Sequence, residues 1–169
     1  MSRKTLVVIG LIVIIGWVIY ASMGAGPPGS DFGPAPDITI ASAAGEKISL
    51  SQLKGKVVLV DFWATWCGPC EASIPEVQRA YEKFKDRGFE VLGIAMENDD
   101  GSGIPAFVKR LGMTYKIGKA TEAESLRSYS IKSIPLMVLV DRSGHIQWRM
   151  EGYAPGLGGE LESRIENLL

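Results

Sequence analysis

The chain has 169 residues, room for one domain and an attachment segment. Apolar residues make up 46% and charged residues 22%, a balance that excludes an acidic or basic disordered chain. The net charge of −1, with no basic block interleaved with aromatics, excludes a general attraction to nucleic acid or to an anionic membrane surface.

The first element is apolar. Arg3 and Lys4 precede "TLVVIGLIVIIGWVIYASM", and no charge follows until Asp31. A run of roughly 20 such residues is long enough to span a bilayer. Residues 1–4 are therefore expected in the cytoplasm, residues 5–23 as a single transmembrane anchor, and the rest on the outer face or in the periplasm, since basic residues stay inside. A cleaved signal peptide is the competing reading, although no A-x-A site is well placed. Either way the domain reaches a compartment where disulfides persist. Residues 24–36, "GAGPPGSDFGPAP", read as a Gly/Pro tether, and residues 37–169 as the folded domain.

Within that domain, "DITIASAAGEKISLSQL" reads as a hairpin turning at Ala44-Gly45. "KVVLVDFW" (56–63) is a continuous β-branched and aliphatic run, the mark of a strand covered on both faces. From Glu71 to Lys85, Ile74, Val77, Tyr81 and Phe84 recur at helical spacing, and Gly88 stops the helix. A second buried strand is expected at 89–96, short helices at 105–111 and 123–129, and a third strand at 136–140. "HIQWRM" alternates, which would place Ile146, Trp148 and Met150 on one face. Leu157, Leu161, Ile165 and Leu168 stripe a terminal helix. The order implies an α/β fold: a mixed sheet flanked by helices, with an N-terminal β-hairpin and a central helical insertion.

Both cysteines of the chain fall in "DFWATWCGPC", separated by Gly68 and Pro69. Such a pair closes a disulfide where the chain turns sharply, as at a helix start. Gly68 relieves crowding there, and Pro69 suits the first turn, where a missing N–H is no loss. Cys67 would then face free N–H groups and the positive end of the helix dipole, which stabilises a thiolate. Cys70, one turn inside, would be more buried. This asymmetry lets Cys67 attack a target disulfide and Cys70 release the reduced product.

"WCGPC" after "VVLVDFWATW", followed later by "SIPLMVLVD", resembles the thioredoxin superfamily. The apolar N-terminus, the "PAPDITI" lead-in and the 90–111 insertion are similar to its membrane-anchored TlpA/ResA-like branch of thiol-disulfide oxidoreductases. The resemblance implies a catalytic set of Cys67, Cys70, Asp61 and Pro135. Cys67 would be the nucleophile, Cys70 the resolving thiol, and Pro135 a cis-proline facing the disulfide. Asp61 would exchange a proton with Cys70. Trp66, Gly68, Pro69, Ile134 and Gly152 would frame the substrate groove. Ser73 stands where cytochrome-maturation members often carry glutamate. The implied partners are protein disulfides, apocytochrome c among them, and a DsbD/CcdA-like transmembrane reductase as electron donor. The chain is expected to cycle as a monomer, with no bound metal or organic cofactor.

Competing readings carry less of the pattern. A structural clip would close a tiny loop, where a disulfide constrains the unfolded chain least. Zinc needs four ligands, but the chain offers two Cys and one His, and His145 sits by a turn. Haem attachment would need a histidine in place of Glu71. A peroxidase of the peroxiredoxin type would want a threonine where Ala64 stands, with Thr65 one place off. Copper delivery and a redox-silent binding module on the same scaffold remain as readings from other classes.

Overall fold

The computed structural model describes residues 32–169, so the expected anchor, 5–23, and most of the tether lie outside the described residues. Among the described residues no helix is long and apolar enough to cross a membrane. Asp31–Leu169 forms one compact unit.

Seven strands make one mixed sheet in the order β2-β1-β5-β4-β3-β6-β7. They are β1 (Thr39–Ala41), β2 (Lys47–Ser49), β3 (Val57–Trp63), β4 (Phe89–Ala95), β5 (Lys116–Ala120), β6 (Leu136–Val140) and β7 (Ile146–Glu151). The helices are α1 (Gly68–Phe84), α2 (Ile104–Leu111), α3 (Ala123–Ser128) and α4 (Leu157–Leu168). Strand β3 is central and parallel to β4, and antiparallel to β6. All seven of its residues are buried, as expected of a strand covered on both faces.

Alternation along β3 builds two cores. Val57, Leu59 and Trp63 face α1, α2 and α4, meeting Ile74, Val77, Phe84, Phe107, Leu161 and Ile165. Val58, Val60 and Phe62 face the other side, with Ile38, Ile40, Leu50, Leu53 and Tyr129. Aromatic pairs tie each layer to the sheet: Trp63 stacks on Phe107 at 5.2 Å, and Phe62 tilts against Tyr129 at 5.0 Å.

Three features differ from the sequence expectations. No strand is expected at 116–120, where β5 pairs with β4 in parallel and with β1 antiparallel. Gly118 makes that position possible, because a Cβ there would sit 2.3 Å from the carbonyl oxygen of Ala41. Secondly, Ile146, Trp148 and Met150 do not share a face. Leu139 pairs with Trp148 but Val140 pairs with Ile146, so Gln147 is an extra residue in β7. This bulge returns Ile146 to the α3 side while Trp148 and Met150 stay against the α1 side. Thirdly, residues 32–36, expected in the tether, lie along the hairpin of β6 and β7. Phe32 N–H donates to Ile146 at 3.2 Å, Ile146 N–H to Gly33 at 3.0 Å, and Ala35 N–H to Gly144 at 2.9 Å. They cover the start of the β7 edge, which a solvent-facing strand would leave open. Helix α1 begins at Gly68, so the cysteine pair opens the helix, as expected of its spacing.

Candidate active site

The site forms where three pieces of chain meet at one end of the sheet. Strand β3 ends at Trp63 and the chain turns through Ala64, Thr65 and Trp66. Cys67 is the N-cap of α1, with extended backbone at φ −93° and ψ 100°. The first turn brings the Cα atoms of Cys67 and Cys70 within 5.2 Å, and their sulfurs form a disulfide. The Cys70 N–H points at the Cys67 sulfur, 3.2 Å away. When the disulfide opens, that donor and the helix N-terminus face a Cys67 thiolate. Cys70 is fully buried and Cys67 is 6% exposed, so the expected asymmetry holds in direction even with the disulfide closed.

The second piece is the loop before β6. Leu136 pairs with Phe62 across β3 and β6, which sets Pro135 just beyond the end of β3. The Ile134–Pro135 peptide bond is cis, and the Ile134 carbonyl oxygen approaches the Cys67 sulfur to 3.7 Å. Gly152, at φ +80°, donates its N–H to the Pro135 carbonyl at 2.7 Å. Trp66 is 59% exposed beside these groups, and Gly68 and Pro69 are exposed as well. The residues expected to frame a groove thus lie together around the disulfide. Ser73 is buried and donates back to the Cys70 carbonyl at 3.0 Å, so a hydroxyl rather than a carboxylate stands at that position of α1.

The third piece is Asp61, on β3. It alternates with Leu59 and Trp63 and so faces the α1 side, the layer that holds Cys70. It is fully buried, and neither carboxylate oxygen has a hydrogen-bond partner among the described residues. Burial raises its pKa from 3.8 to about 7. A carboxyl poised there can hold or release a proton at neutral pH.

Glu97, which sequence reasoning passed over, follows β4 and braces the approach to Cys67. It accepts the Thr65 N–H at 2.6 Å and the Thr65 hydroxyl at 3.0 Å. Its acidity in "MENDD" is an ordinary loop composition, so no local signal marks it. His145 lies by the β6–β7 turn, its Nδ1 2.9 Å from the Ser143 hydroxyl. Among the described residues no cluster of His, Cys, Asp or Glu could hold a metal ion.

A thioredoxin-like sheet, a disulfide at a helix N-terminus and a cis-proline beside the outer sulfur together define a thiol-disulfide oxidoreductase. Comparison with known proteins agrees. The chain is similar to the thiol-disulfide oxidoreductase ResA of Bacillus subtilis, 29% identical over 144 residues, covering 85% of this chain and 80% of that protein. It is also similar to ResA of Bacillus cereus, 28% identical over 168 residues, covering 98% and 92%. Among solved structures it resembles the thioredoxin domain of a thiol-disulfide oxidoreductase from Bacteroides vulgatus, with a TM-score of 0.72, 27% identity and coverage of 80% and 98%. It likewise resembles a thioredoxin-family thiol:disulfide interchange protein from Chlorobium tepidum, with a TM-score of 0.71, 28% identity and coverage of 80% and 94%. The chain belongs to the AhpC/TSA family, whose pattern matches residues 33–149, and within the thioredoxin superfamily it is a TlpA/ResA-like member.

Proposed function

We propose that the protein is a reductant of protein disulfides, working outside the cytoplasm and tethered to the membrane by residues 5–23. The observation that carries the chemistry is the unequal pair: an outer sulfur beside the Ile134 carbonyl and an inner one sealed against the sheet. A substrate segment extends along Ile134 and Trp66 as an added strand. The Cys67 thiolate attacks a substrate sulfur, forming the mixed disulfide and expelling the other substrate sulfur as a thiolate. Cys70 then gives its proton to Asp61 and attacks Cys67. The intramolecular disulfide closes, and the second substrate sulfur leaves as a thiolate that takes a proton. Two electrons pass from the dithiol to the substrate, and a DsbD/CcdA-like membrane reductase returns them.

One feature supports the reducing direction, and another counts against a peroxidase. Glu71, in the first turn of α1, is kept ionised by its hydrogen bond to Arg110, and its charge opposes a thiolate at Cys67. A less stable thiolate means a more reducing couple, with ~30 mV corresponding to ~1.4 kcal/mol. The Thr65 hydroxyl is engaged by Glu97 and Ala64 stands beside it, which counts against a peroxide-polarising role.

The test is a Cys70→Ser variant of the full chain, which should accumulate mixed disulfides through Cys67 and so name the substrate, with apocytochrome c the particular candidate to look for. The reduction potential of the wild-type pair should lie well below the value of about −120 mV typical of strong oxidants. A potential near that value overturns the reductant assignment.

A further inference from the structure

Asp61 is one of three buried polar side chains that lack a partner among the described residues; the others are Trp63, through Nε1, and Tyr115, through its hydroxyl. Buried polar groups are satisfied in nearly every native protein, so three on one side of a sheet call for a common explanation. Gly93 brings them together. It is the register partner of Asp61 across β3 and β4. A Cβ at Gly93 would lie 2.9 Å from Cε2 of Tyr115 and 3.2 Å from Nε1 of Trp63. The absent side chain therefore leaves space that the hydroxyl-bearing end of one ring and the N–H edge of the other enter, next to the carboxyl.

The surroundings hold both rings in place. Tyr81 meets Tyr115 edge-on at 5.9 Å, and Phe107 stacks on Trp63. Tyr115 also lines a solvent-open cavity of about 700 Å³ with Ile104, Val108 and Ile117. One residue thus borders both the layer of the buried carboxyl and a cavity open to water on the β5 side. Burial, and secondly the Asp61 charge, push its phenol well above its ordinary value, so it stays a neutral hydroxyl able to donate. Among the described residues, Cys70 and Tyr81 from α1 and Tyr115 ahead of β5 face this side, with the charges of Glu82, Lys85, Glu90 and Lys116 reaching Tyr81; β4 and β6 place Gly93 and Met137 opposite Asp61.

We propose that Tyr115 is a relay residue, through which Asp61 exchanges the Cys70 proton with the cavity on the β5 side. The tyrosine hydroxyl, Trp63 Nε1 and one internal water complete the hydrogen bonds of Asp61. The Asp61 proton passes to the water and the Tyr115 oxygen, while a proton leaves on the cavity side, so the hydroxyl ends unchanged. A substrate docked over Trp66 and Ile134 covers the disulfide face, and this rear route lets the proton leave before the product does. The inference rests on the reading that Asp61 accepts the Cys70 proton.

The test uses the full chain with Tyr115→Phe, which keeps the ring and removes one oxygen. The Asp61 carboxyl is titrated by its ¹³C resonance, and the formation and resolution of the mixed disulfide are timed separately with oxidised insulin. Loss of one donor to the charged form should raise the Asp61 midpoint by about one pH unit. Resolution at pH 7 should slow about fivefold, because the ionised fraction of an Asp61 that starts near 7 falls from about one half to about one in eleven, while Cys67 attack proceeds at the wild-type rate. Tyr81→Phe, which removes a hydroxyl from the neighbouring ring, should change neither. In an Asp61→Asn background, Tyr115→Phe should have no further effect. An unchanged midpoint, or an equal slowing in the Asp61→Asn background or with Tyr81→Phe, overturns the relay. If Asp61→Asn alone leaves resolution at the wild-type rate, the proton-acceptor reading itself has failed.

Discussion

Replacing Asp61 with asparagine should stabilise the oxidised protein at neutral pH, by an amount that pH itself sets. In the folded chain burial holds this carboxyl at about 7, against 3.8 for the free side chain. Below about pH 4 both folded and unfolded chains keep the proton, and the residue contributes no slope. Between about pH 4 and 7 the unfolded chain releases a proton that the folded chain retains, so wild-type stability falls as pH rises. Above about pH 7 both states are ionised and the loss is complete. Three units of difference at ~1.4 kcal/mol each give about 4 kcal/mol. Asparagine carries no titrating proton, so the variant lacks this loss. Its amide offers different hydrogen-bonding groups from a carboxyl there, but that difference is the same at every pH. Carboxylates held low by arginine, such as Glu71 by Arg110 and Glu151 by Arg149, slope the opposite way in both proteins and cancel in the difference. The assay is guanidinium unfolding of both chains, disulfide closed, from pH 3.5 to 8.5. The stability of the variant minus that of wild type should climb through the acid range and level off near pH 7. A flat difference curve, or one that falls with pH, would refute the assignment of a buried, uncompensated carboxyl.

Three further substitutions probe what holds the site. Gly118→Ala forces a Cβ against the Ala41 carbonyl of the neighbouring strand; it should cost about 3 kcal/mol, read as a fall in unfolding midpoint, because backbone on both sides must move. Glu97→Ala removes both acceptors of Thr65 and should cost about 2 kcal/mol while slowing Cys67 attack on a model disulfide, with Glu97→Gln recovering most of the rate. Glu90 is buried, 2.5 Å from Lys116 Nζ and 3.6 Å from Lys56 Nζ. Glu90→Gln should cost about 2 kcal/mol in denaturant unfolding, since both lysines remain partly hydrated and soften the loss.

What the sequence revealed and what it hid differ in a physical way. Strand β3 was legible because both of its faces are covered, which leaves an uninterrupted apolar run. Cys67 and Cys70 were legible because their chemistry is local, a turn at a helix start, whereas the cis-proline at Pro135 was expected only from the family resemblance. Strand β5, "KIGKA", was not legible. Its two lysines and one glycine give neither an apolar run nor a clear alternation, and it becomes a strand only because β1 and β4 supply partners on both edges. The β7 bulge was hidden for a related reason, since an extra residue breaks alternation without leaving any trace in composition. Tyr115 and Glu97 were missed because each meets the site across the sheet. Glu97 reaches Thr65 from the end of β4, and Tyr115 reaches the Asp61 layer from the start of β5. Only the strand order makes those residues neighbours.

That order also explains why the disulfide meets the cis-proline at all. Strands β3 and β6 run antiparallel, with Asp61 opposite Met137 and Phe62 opposite Leu136. The end of β3, which launches the cysteine turn, therefore lies beside the start of β6, which follows Pro135. A slip of one residue would exchange the two faces of β6, sending Met137 and Leu139 to the α3 side and Leu136 and Val138 toward α1. It would also carry the Ile134 carbonyl away from Cys67. The register is thus fixed by two apolar layers at once, and the placement of the reactive groups follows from core packing rather than from contacts of their own. The β7 irregularity falls at the far end, between Leu139 and Val140. There it can bend the edge without disturbing the pairing of Leu136 with Glu151, next to which Gly152 holds the Pro135 carbonyl.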